Sequence, residues 1–267
     1  MKVSILLPAF RRANLLRLGL LSILKYKPTC DYEILVLNDG IIDQTEEVCK
    51  MFEGLLNIKY IFTGNRNLDG VIKKRVPGFA LNIGIKQSEG DIIILSCPEM
   101  YHLNNAIDII VNTVIQNKKG LVIPEFVYFD QARLVTNHLL IRTNEDIIRC
   151  KDPELIDSSK LISGDYGHGH VVMPFLLGLY KKELLDINGY DEDFIGYAAE
   201  DNDLIDRLKL NGCNHIRTLA RAIHLYHEGS TDGRCHWENP DWVLNFNLYQ
   251  SRKGIIKRNE GRLWGML

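Results

Sequence analysis

The first hundred residues alternate between short apolar runs and longer stretches with helical spacing. Four runs rich in Ile, Leu and Val predict buried strands at 3–7, 33–37, 58–62 and 92–95. Apolar residues at helical spacing predict helices over 15–24, 43–52 and 78–87. Buried strands that alternate with helices predict an α/β fold, with a mainly parallel sheet covered by helices on both faces.

The second half of the chain is less regular. Residues 125–165 are polar and weakly periodic, which predicts an excursion from the sheet with a hairpin around 139–141. Residues 174–180 return to the core, and a helix follows over 200–210. We therefore predict one domain over 1–267, with halves at 1–100 and 101–228, an insertion at about 125–170 and a C-terminal extension at 229–267.

Composition narrows the class of protein. The 32 basic and 34 acidic side chains nearly cancel, which argues against a nucleic-acid partner bound through many phosphates. The six cysteines stand singly without metal-site spacing, as expected for reduced thiols in a cytosol-like compartment. No apolar run approaches the length of a membrane-spanning helix. We expect a cytoplasmic globular protein.

Ligands of parallel α/β sheets bind beyond the carboxyl ends of the strands. Asp39 follows the second strand, where its carboxylate could accept hydrogen bonds from a base or a ribose, or could close an Asx turn. Glu99 follows the fourth strand, where it could hold Mg²⁺ or Mn²⁺ against a diphosphate, or could be a solvated loop charge.

The segment 194–204 carries the strongest chemical signal. A loop with Phe194, Gly196 and Tyr197 leads to Glu200 and Asp201 at a helix start. One carboxylate could act as a general base while its neighbour bonds a substrate hydroxyl, and burial would raise the pKa of the base. Acidic capping of the helix accounts for the charges but not for the loop before them.

Two histidines are the last candidate site residues. His224 and His227 are three residues apart, and in a strand such positions point to opposite faces. We therefore expect at most one of them to reach a common site. Together with Glu99, that histidine would make a mixed oxygen and nitrogen ligand set that Mn²⁺ accepts.

Taken together, residues 2–100 and 172–228 resemble an inverting family 2 glycosyltransferase of the GT-A fold. The segment 37–45 resembles "DDGSxDxT", and 78–85 resembles "GxxxARNxGI". The segment 188–204 is similar to the galactosyltransferase-type "NGFDExFxGWGxEDxDL". Three positions depart from these patterns: Asn38 replaces an Asp, Tyr197 replaces a Trp, and Ser96-Cys97-Pro98-Glu99 replaces the DxD motif.

The resemblance implies a role for each matched position. The nucleotide-binding residues would be Pro8, Ala9, Phe10, Arg12, Asp39, Arg75 and Asn82. Asp201 would be the general base and Glu200 would orient a substrate. The residues near the donor or acceptor sugar would be Gly196, Tyr197 and Asp203, and the ligands of a divalent cation, Mn²⁺ or Mg²⁺, would be Glu99 and His227.

The expected activity is sugar transfer from a nucleotide-sugar, with a UDP-sugar favoured, to a glycan or lipid-linked acceptor in polysaccharide biosynthesis. Two alternatives stay open: a non-catalytic nucleotide-sugar-binding domain, suggested by the altered DxD motif, and a nucleotidyltransferase, disfavoured because no glycine follows the first strand. A basic C-terminal segment could contact an anionic membrane or pack on its own domain. Its residues are Lys253, Lys257, Arg258, Arg262 and Trp264.

Overall fold

The computed structural model describes residues 1–65, 76–149, 162–164, 174–196, 198–227 and 239–266. Within these residues, nine strands form one mixed sheet. They are β1 Lys2–Ala9, β2 Asp31–Gly40, β3 Ile58–Asn65, β4 Ile92–Ser96, β5 Met100–His102, β6 Gly120–Phe129, β7 Ile162–Gly164, β8 Leu176–Tyr180 and β9 Asn214–His224.

The strand order places the predicted parallel strands side by side. The order is β3-β2-β1-β4-β8-β6-β9-β5, with β7 paired to β6. Strands β1 to β4 are mutually parallel where they pair, whereas β8 is antiparallel to both of its neighbours. Strands β6 and β9 pair in parallel, and β5 adds to β9 in the antiparallel sense. The predicted mixed, mainly parallel α/β sheet is confirmed.

Helices cover both faces of this sheet, as the alternating pattern predicted. Those that the structure describes are α1 Ala13–Lys25, α2 Thr45–Met51, α3 Pro77–Gln87, α4 Ala106–Gln116, α5 Leu134–Leu140, α6 Asn144–Arg149, α7 Lys181–Asp186, α8 Glu200–Leu210 and α9 Pro240–Ser251. Successive strand residues point to opposite faces. Ile5 therefore joins a core with α1 and α4, while Leu6 joins a second core with α3 and α8.

The prediction of a hairpin around 139–141 was wrong. Leu139 and Leu140 belong to helix α5, because Val135 and Leu139 are one helical turn apart and both pack into the core. Strand β6 continues to Phe129 in pairing with β9, so the chain leaves the sheet later than residue 125. Among the described helices, none has the length and hydropathy needed to cross a bilayer.

The C-terminal segment packs on its own domain at two of the positions proposed for membrane contact. Trp264 is buried beside α3, and the Lys86 ammonium lies 3.8 Å from the centre of its ring. Arg258 is buried against Asp191 and Asp203. Of the two possibilities that the sequence left open for this segment, packing on its own domain therefore holds for Trp264 and Arg258.

Candidate active site

The loops after β1, β2 and β4 lie at one edge of the sheet. Ala9 pairs with Asn38, and Leu6 pairs with Leu95, so the three strands end close together. Here Pro8 is half-buried, Ala9 is buried and Phe10 is 40% exposed. The predicted edge exists, and it offers an exposed aromatic ring at its surface.

Asp39 lies at this edge in a buried position. The hydroxyl of Thr63 donates to Asp39 Oδ1 over 3.3 Å and to the Asn38 carbonyl over 3.1 Å. The turn that follows uses Gly40, whose φ of 93° is a left-handed conformation that glycine adopts without strain. An Asx turn later in this loop is formed by Asp43, which accepts from the Thr45 amide at 2.9 Å.

Three side chains converge on the carboxylate of Glu99, which is almost fully buried. The Arg12 guanidinium donates to Glu99 Oε1, and another of its nitrogens lies 3.0 Å from His227 Nδ1. Glu99 Oε1 also lies 3.2 Å from His227 Nε2 and 3.6 Å from His224 Nε2. Glu99 is therefore no solvated loop charge but the centre of a buried cluster.

These contacts change the ionisation of the cluster. Burial alone would raise the pKa of Glu99, but the hydrogen bond from His227 and the charge of Arg12 lower it to about 2. Burial lowers the pKa of His224 to about 4 against the opposing charge of Glu99. At neutral pH the cluster thus combines a carboxylate with a neutral His224, and both are forms that bind a metal ion.

The prediction that at most one histidine reaches the site was wrong. Strand β9 ends at His224, so the alternation of faces stops before His227 and both rings turn toward Glu99. Met100 pairs with His224, and the Leu225 amide donates to the Glu99 carbonyl over 2.9 Å. Sequence periodicity treated 224–227 as one strand and therefore missed His224 as a site residue.

A glycine sets the position of the Glu99 loop. A Cβ added at Gly19 in α1 would lie 2.5 Å from the carbonyl oxygen of Pro98 and 3.3 Å from that of Met100. Helix α1 therefore packs directly on the backbone that carries Glu99. The other end of the cluster is fixed by rings, since His224 stacks on Phe129 with centroids 5.3 Å apart.

The cluster fits a divalent cation. One oxygen or nitrogen atom from each of Glu99, His224 and His227 lies within 4.8 Å of the others. Glu99 Oε2 is buried, and none of the described residues forms a hydrogen bond with it. One carboxylate and two imidazoles form a donor set that Mn²⁺ accepts. Because Arg12 already contacts Glu99, a bound cation would share the carboxylate with this arginine or displace it.

The acidic pair begins helix α8, as predicted. Glu200 is buried, whereas Asp201 is partly exposed and accepts a hydrogen bond from the Tyr190 hydroxyl over 3.3 Å. Burial raises the pKa of Asp201 to about 6, and the bond from Tyr190 opposes this only in part. Tyr190 is held in place by Gly78, where an added Cβ would lie 2.5 Å from its ring.

Two predicted ligand-binding residues have structural roles instead. Asp203 is buried between Arg207 and Arg258, with nitrogen to oxygen distances of 2.6 and 2.7 Å, so it is not available to a sugar. Asn82 is fully buried, and its amide bonds both backbone groups of Tyr190 and the carboxylate of Glu192. The predictions of a sugar contact for Asp203 and of a diphosphate contact for Asn82 were wrong.

The loop before the acidic pair is strained and is held by helix α9. Ala198 and Ala199 have φ angles of 76° and 71°, which are costly for residues with a side chain. The buried Asn245 side chain bonds both backbone groups of Ile195, at 3.1 and 2.5 Å, and the Ala198 carbonyl at 3.1 Å. Gly196 has a φ of 64° and lies against the Asp241 carboxylate. This support from the C-terminal extension was not visible in the sequence.

The thiol of Cys97 interacts electrostatically with both acidic groups of the site, Glu99 and Asp201. Burial raises the pKa of its thiol, the negative charges of Glu99 and Asp201 raise it further, and the charge of Arg12 opposes them. The phenol of Tyr190 likewise interacts electrostatically with Asp201 and with Cys97. The charges of Asp201 and of Glu99 therefore both act on one thiol, which follows β4 at this edge of the sheet. Two further predicted residues, Arg75 and Tyr197, lie outside the described residues.

Comparisons with known proteins agree with this geometry. The family model described as glycosyl transferase family 2 matches residues 4–169, and the model described as the N-terminal domain of galactosyltransferase matches 175–228. The chain is 25% identical over 255 residues to chondroitin synthase of Escherichia coli. This alignment covers 85% of this chain and 34% of that protein. It is 32% identical over 76 residues to the uncharacterized glycosyltransferase MG060 of Mycoplasma genitalium, covering 27% and 26% of the two chains.

Solved structures share the fold. Staphylococcus aureus TarS has a TM-score of 0.58 at 16% identity, over 94% of this chain and 39% of that one. The mannosyltransferase PcManGT from Pyrobaculum calidifontis, solved with GDP-Man and Mn²⁺, has a TM-score of 0.58 at 14% identity, over 94% and 63%. The chain thus spans about a third of chondroitin synthase and about two fifths of TarS. Since the family model matches more than half of the chain and the sheet agrees with it, this chain belongs to glycosyl transferase family 2 and is a glycosyltransferase of the GT-A fold.

Proposed function

We propose that the protein transfers a sugar from a nucleotide-sugar to a hydroxyl of a glycan, with inversion at the anomeric carbon. The observation that carries this proposal is the partly exposed carboxylate of Asp201, with a pKa of about 6, whose charge acts on the same Cys97 thiol as that of Glu99. A base whose pKa lies near the working pH is effective in taking a proton from a hydroxyl. Chondroitin synthase among the relatives supports a glycan acceptor.

The proposed reaction is a direct displacement. The acceptor oxygen forms a bond to the anomeric carbon, the bond from that carbon to the diphosphate oxygen breaks, and the acceptor proton moves to Asp201. Phe10 and Asp39 would contact the nucleoside, with Pro8 and Ala9 forming the edge beneath it. Glu200 and the Gly196 loop would orient the sugars beside Asp201.

The diphosphate would bind at the Glu99 cluster. Glu99, His224 and His227 would hold Mn²⁺ or Mg²⁺, which when bound neutralises negative charge on the leaving diphosphate. Arg12 would supply a permanent positive charge at the same place. Solved relatives in complex with UDP-GlcNAc and with GDP-Man and Mn²⁺ support a nucleotide-sugar donor. We favour a UDP-sugar.

The base assignment is tested with Asp201→Asn. We expect donor affinity to be nearly unchanged and turnover to fall by about a hundredfold or more. The matched control is Asp186→Asn, which removes a partly exposed partner of Lys182 and should leave turnover unchanged. Turnover of the Asp201 variant at the control level would remove Asp201 from this role.

The donor and the metal are tested together by thermal shift. UDP-, GDP-, dTDP- and CMP-sugars are screened with Mn²⁺ and with EDTA, and we expect the largest stabilisation from a UDP-sugar with Mn²⁺. Equal stabilisation in EDTA would show that donor binding does not require the metal. The anomeric configuration of the product, measured by NMR, tests inversion.

A further inference from the structure

A stacked pair of aromatic rings lies on helix α9, outside the groups assigned above. Trp242 and Phe246 are one helical turn apart, with ring centroids separated by 5.0 Å and ring planes only 4° apart. Phe246 is 39% exposed and Trp242 is partly exposed. The pair therefore presents apolar ring surface to solvent, and exposed aromatic surface on a folded protein commonly marks a binding site.

The same helix is hydrogen-bonded to the loop that precedes Asp201. Residues three and four apart are neighbours on a helix, so Asn245 lies beside Trp242. The Asn245 side chain bonds the Ile195 backbone and the Ala198 carbonyl. Ala198 precedes Asp201 by three residues, so their Cα atoms are at most about 11 Å apart. The ring pair thus borders the loop that carries the proposed base.

The charges of helix α9 disfavour a membrane as the occupant of this surface. The helix, PDWVLNFNLYQS, contains no Lys or Arg, and its single charged residue is Asp241. Anionic lipid surfaces attract basic helices, which this one is not. The polar residues next to the rings in the sequence are instead Asp241 and the exposed Asn247, whose carboxylate and amide can bond hydroxyl groups.

We propose that Trp242 and Phe246 form a subsite for a pyranose ring of the acceptor glycan, one or more units away from the sugar that reacts at Asp201. A pyranose has an apolar face of C–H groups for an aromatic ring and hydroxyls at its rim for Asp241 and Asn247. The inference rests on the proposed function and deepens it, because it makes the acceptor an oligosaccharide. A second point of contact predicts that longer acceptors bind more tightly than a monosaccharide.

The experiment measures binding as a function of acceptor length. The probes are the mono-, di-, tetra- and hexasaccharides of two series, chondroitin and N-acetylglucosamine polymers, titrated by NMR in the presence of UDP and Mn²⁺. We expect the tetrasaccharide of at least one series to bind about tenfold more tightly than its monosaccharide. Trp242→Ala and Phe246→Ala should lose this difference while their monosaccharide affinity stays unchanged.

The matched control is Leu244→Ala on the same helix, at a residue that is 56% exposed. It should keep the length dependence, as should Trp242→Phe, which retains a ring. Wild-type protein without length dependence in either series would overturn the proposal, as would an equal loss in the Leu244 variant. The proposal would also be overturned if the wild type self-associates and both Phe246→Ala and Leu244→Ala abolish this association. The surface would then be a protein interface.

Donor hydrolysis separates this inference from the proposed function. Release of UDP from a UDP-sugar without acceptor uses only the donor site, so both aromatic variants should hydrolyse at the wild-type rate. Normal hydrolysis with no effect of the variants on acceptor length would overturn the subsite alone. Absence of hydrolysis and of transfer in the wild type would overturn the proposed function instead.

Discussion

Replacing Asp201 with Asn is expected to stabilise the protein at neutral pH while it removes the proposed base. Burial raises the pKa of this carboxyl group from 3.8 to about 6, and the hydrogen bond that opposes the rise comes from the neutral hydroxyl of Tyr190. Keeping the carboxylate ionised in the folded protein therefore costs free energy. Asparagine keeps an oxygen that can accept from Tyr190 but carries no charge to bury.

The size and the pH dependence of the effect follow from the two pKa values. A rise of about two units corresponds to about 3 kcal/mol at neutral pH. Asp201 is partly exposed, so solvent screening lowers our expectation to about 2 kcal/mol. Because the folded state holds its proton to a higher pH than the unfolded state, the cost is absent below 3.8, grows toward 6 and is constant above.

The assay is urea unfolding of wild-type protein, Asp201→Asn and the control Asp186→Asn in EDTA, at about pH 4.5 and about pH 7.5. At the higher pH the Asp201 variant should gain about 2 kcal/mol, or roughly 4–8 °C in melting temperature. At the lower pH about a third of the gain should remain. A gain of equal size at both pH values, or a loss at the higher one, would refute the burial argument.

Three further substitutions test the supports of the site. Gly19→Ala places a methyl group against the Pro98 carbonyl, and we expect a loss of about 1–3 kcal/mol in stability together with weaker Mn²⁺ binding; normal binding by calorimetry would contradict it. Asn245→Ala should lower kcat at least about tenfold at unchanged donor KM, since three hydrogen bonds to the strained loop are lost; a change in KM alone would count against this. His224→Ala should weaken Mn²⁺ binding at least about tenfold, and equal affinity would exclude it as a ligand.

The first half of the fold was predictable because its information is local. Each apolar run is short and ends in a turn, and the observed strands extend the predicted ones by only a few residues. The edge that joins Phe10, Asp39 and Glu99 followed from the rule that parallel strands end together. The apolar run at 139–141 failed as a strand because its partner in the core, Val135, lies one helical turn earlier.

The details of the site were less predictable because they depend on distant contacts. The point at which β9 ends decides whether one histidine or two reach Glu99, and pairing with β5 and β6 sets it. The residues that hold Asp203 and the loop before Asp201 come from about 50 positions later in the chain, at Arg258 and Asn245. A motif identifies which acids are present but not which of them an arginine already neutralises.

Arginines contact the buried acids that neighbour Asp201 in its motif, whereas burial raises the pKa of Asp201 beside an uncharged hydroxyl. Asp191 and Asp203 are more deeply buried than Asp201, but both contact the Arg258 guanidinium, and Asp203 also binds Arg207. A positive partner repays part of the cost of burying a carboxylate, whereas the hydroxyl that bonds Asp201 carries no charge. The C-terminal extension therefore supplies charges that fix the start of helix α8 through its neighbouring acids. Asp201, the carboxylate that we propose takes up the proton, has a neutral hydroxyl as its partner, so burial still raises its pKa.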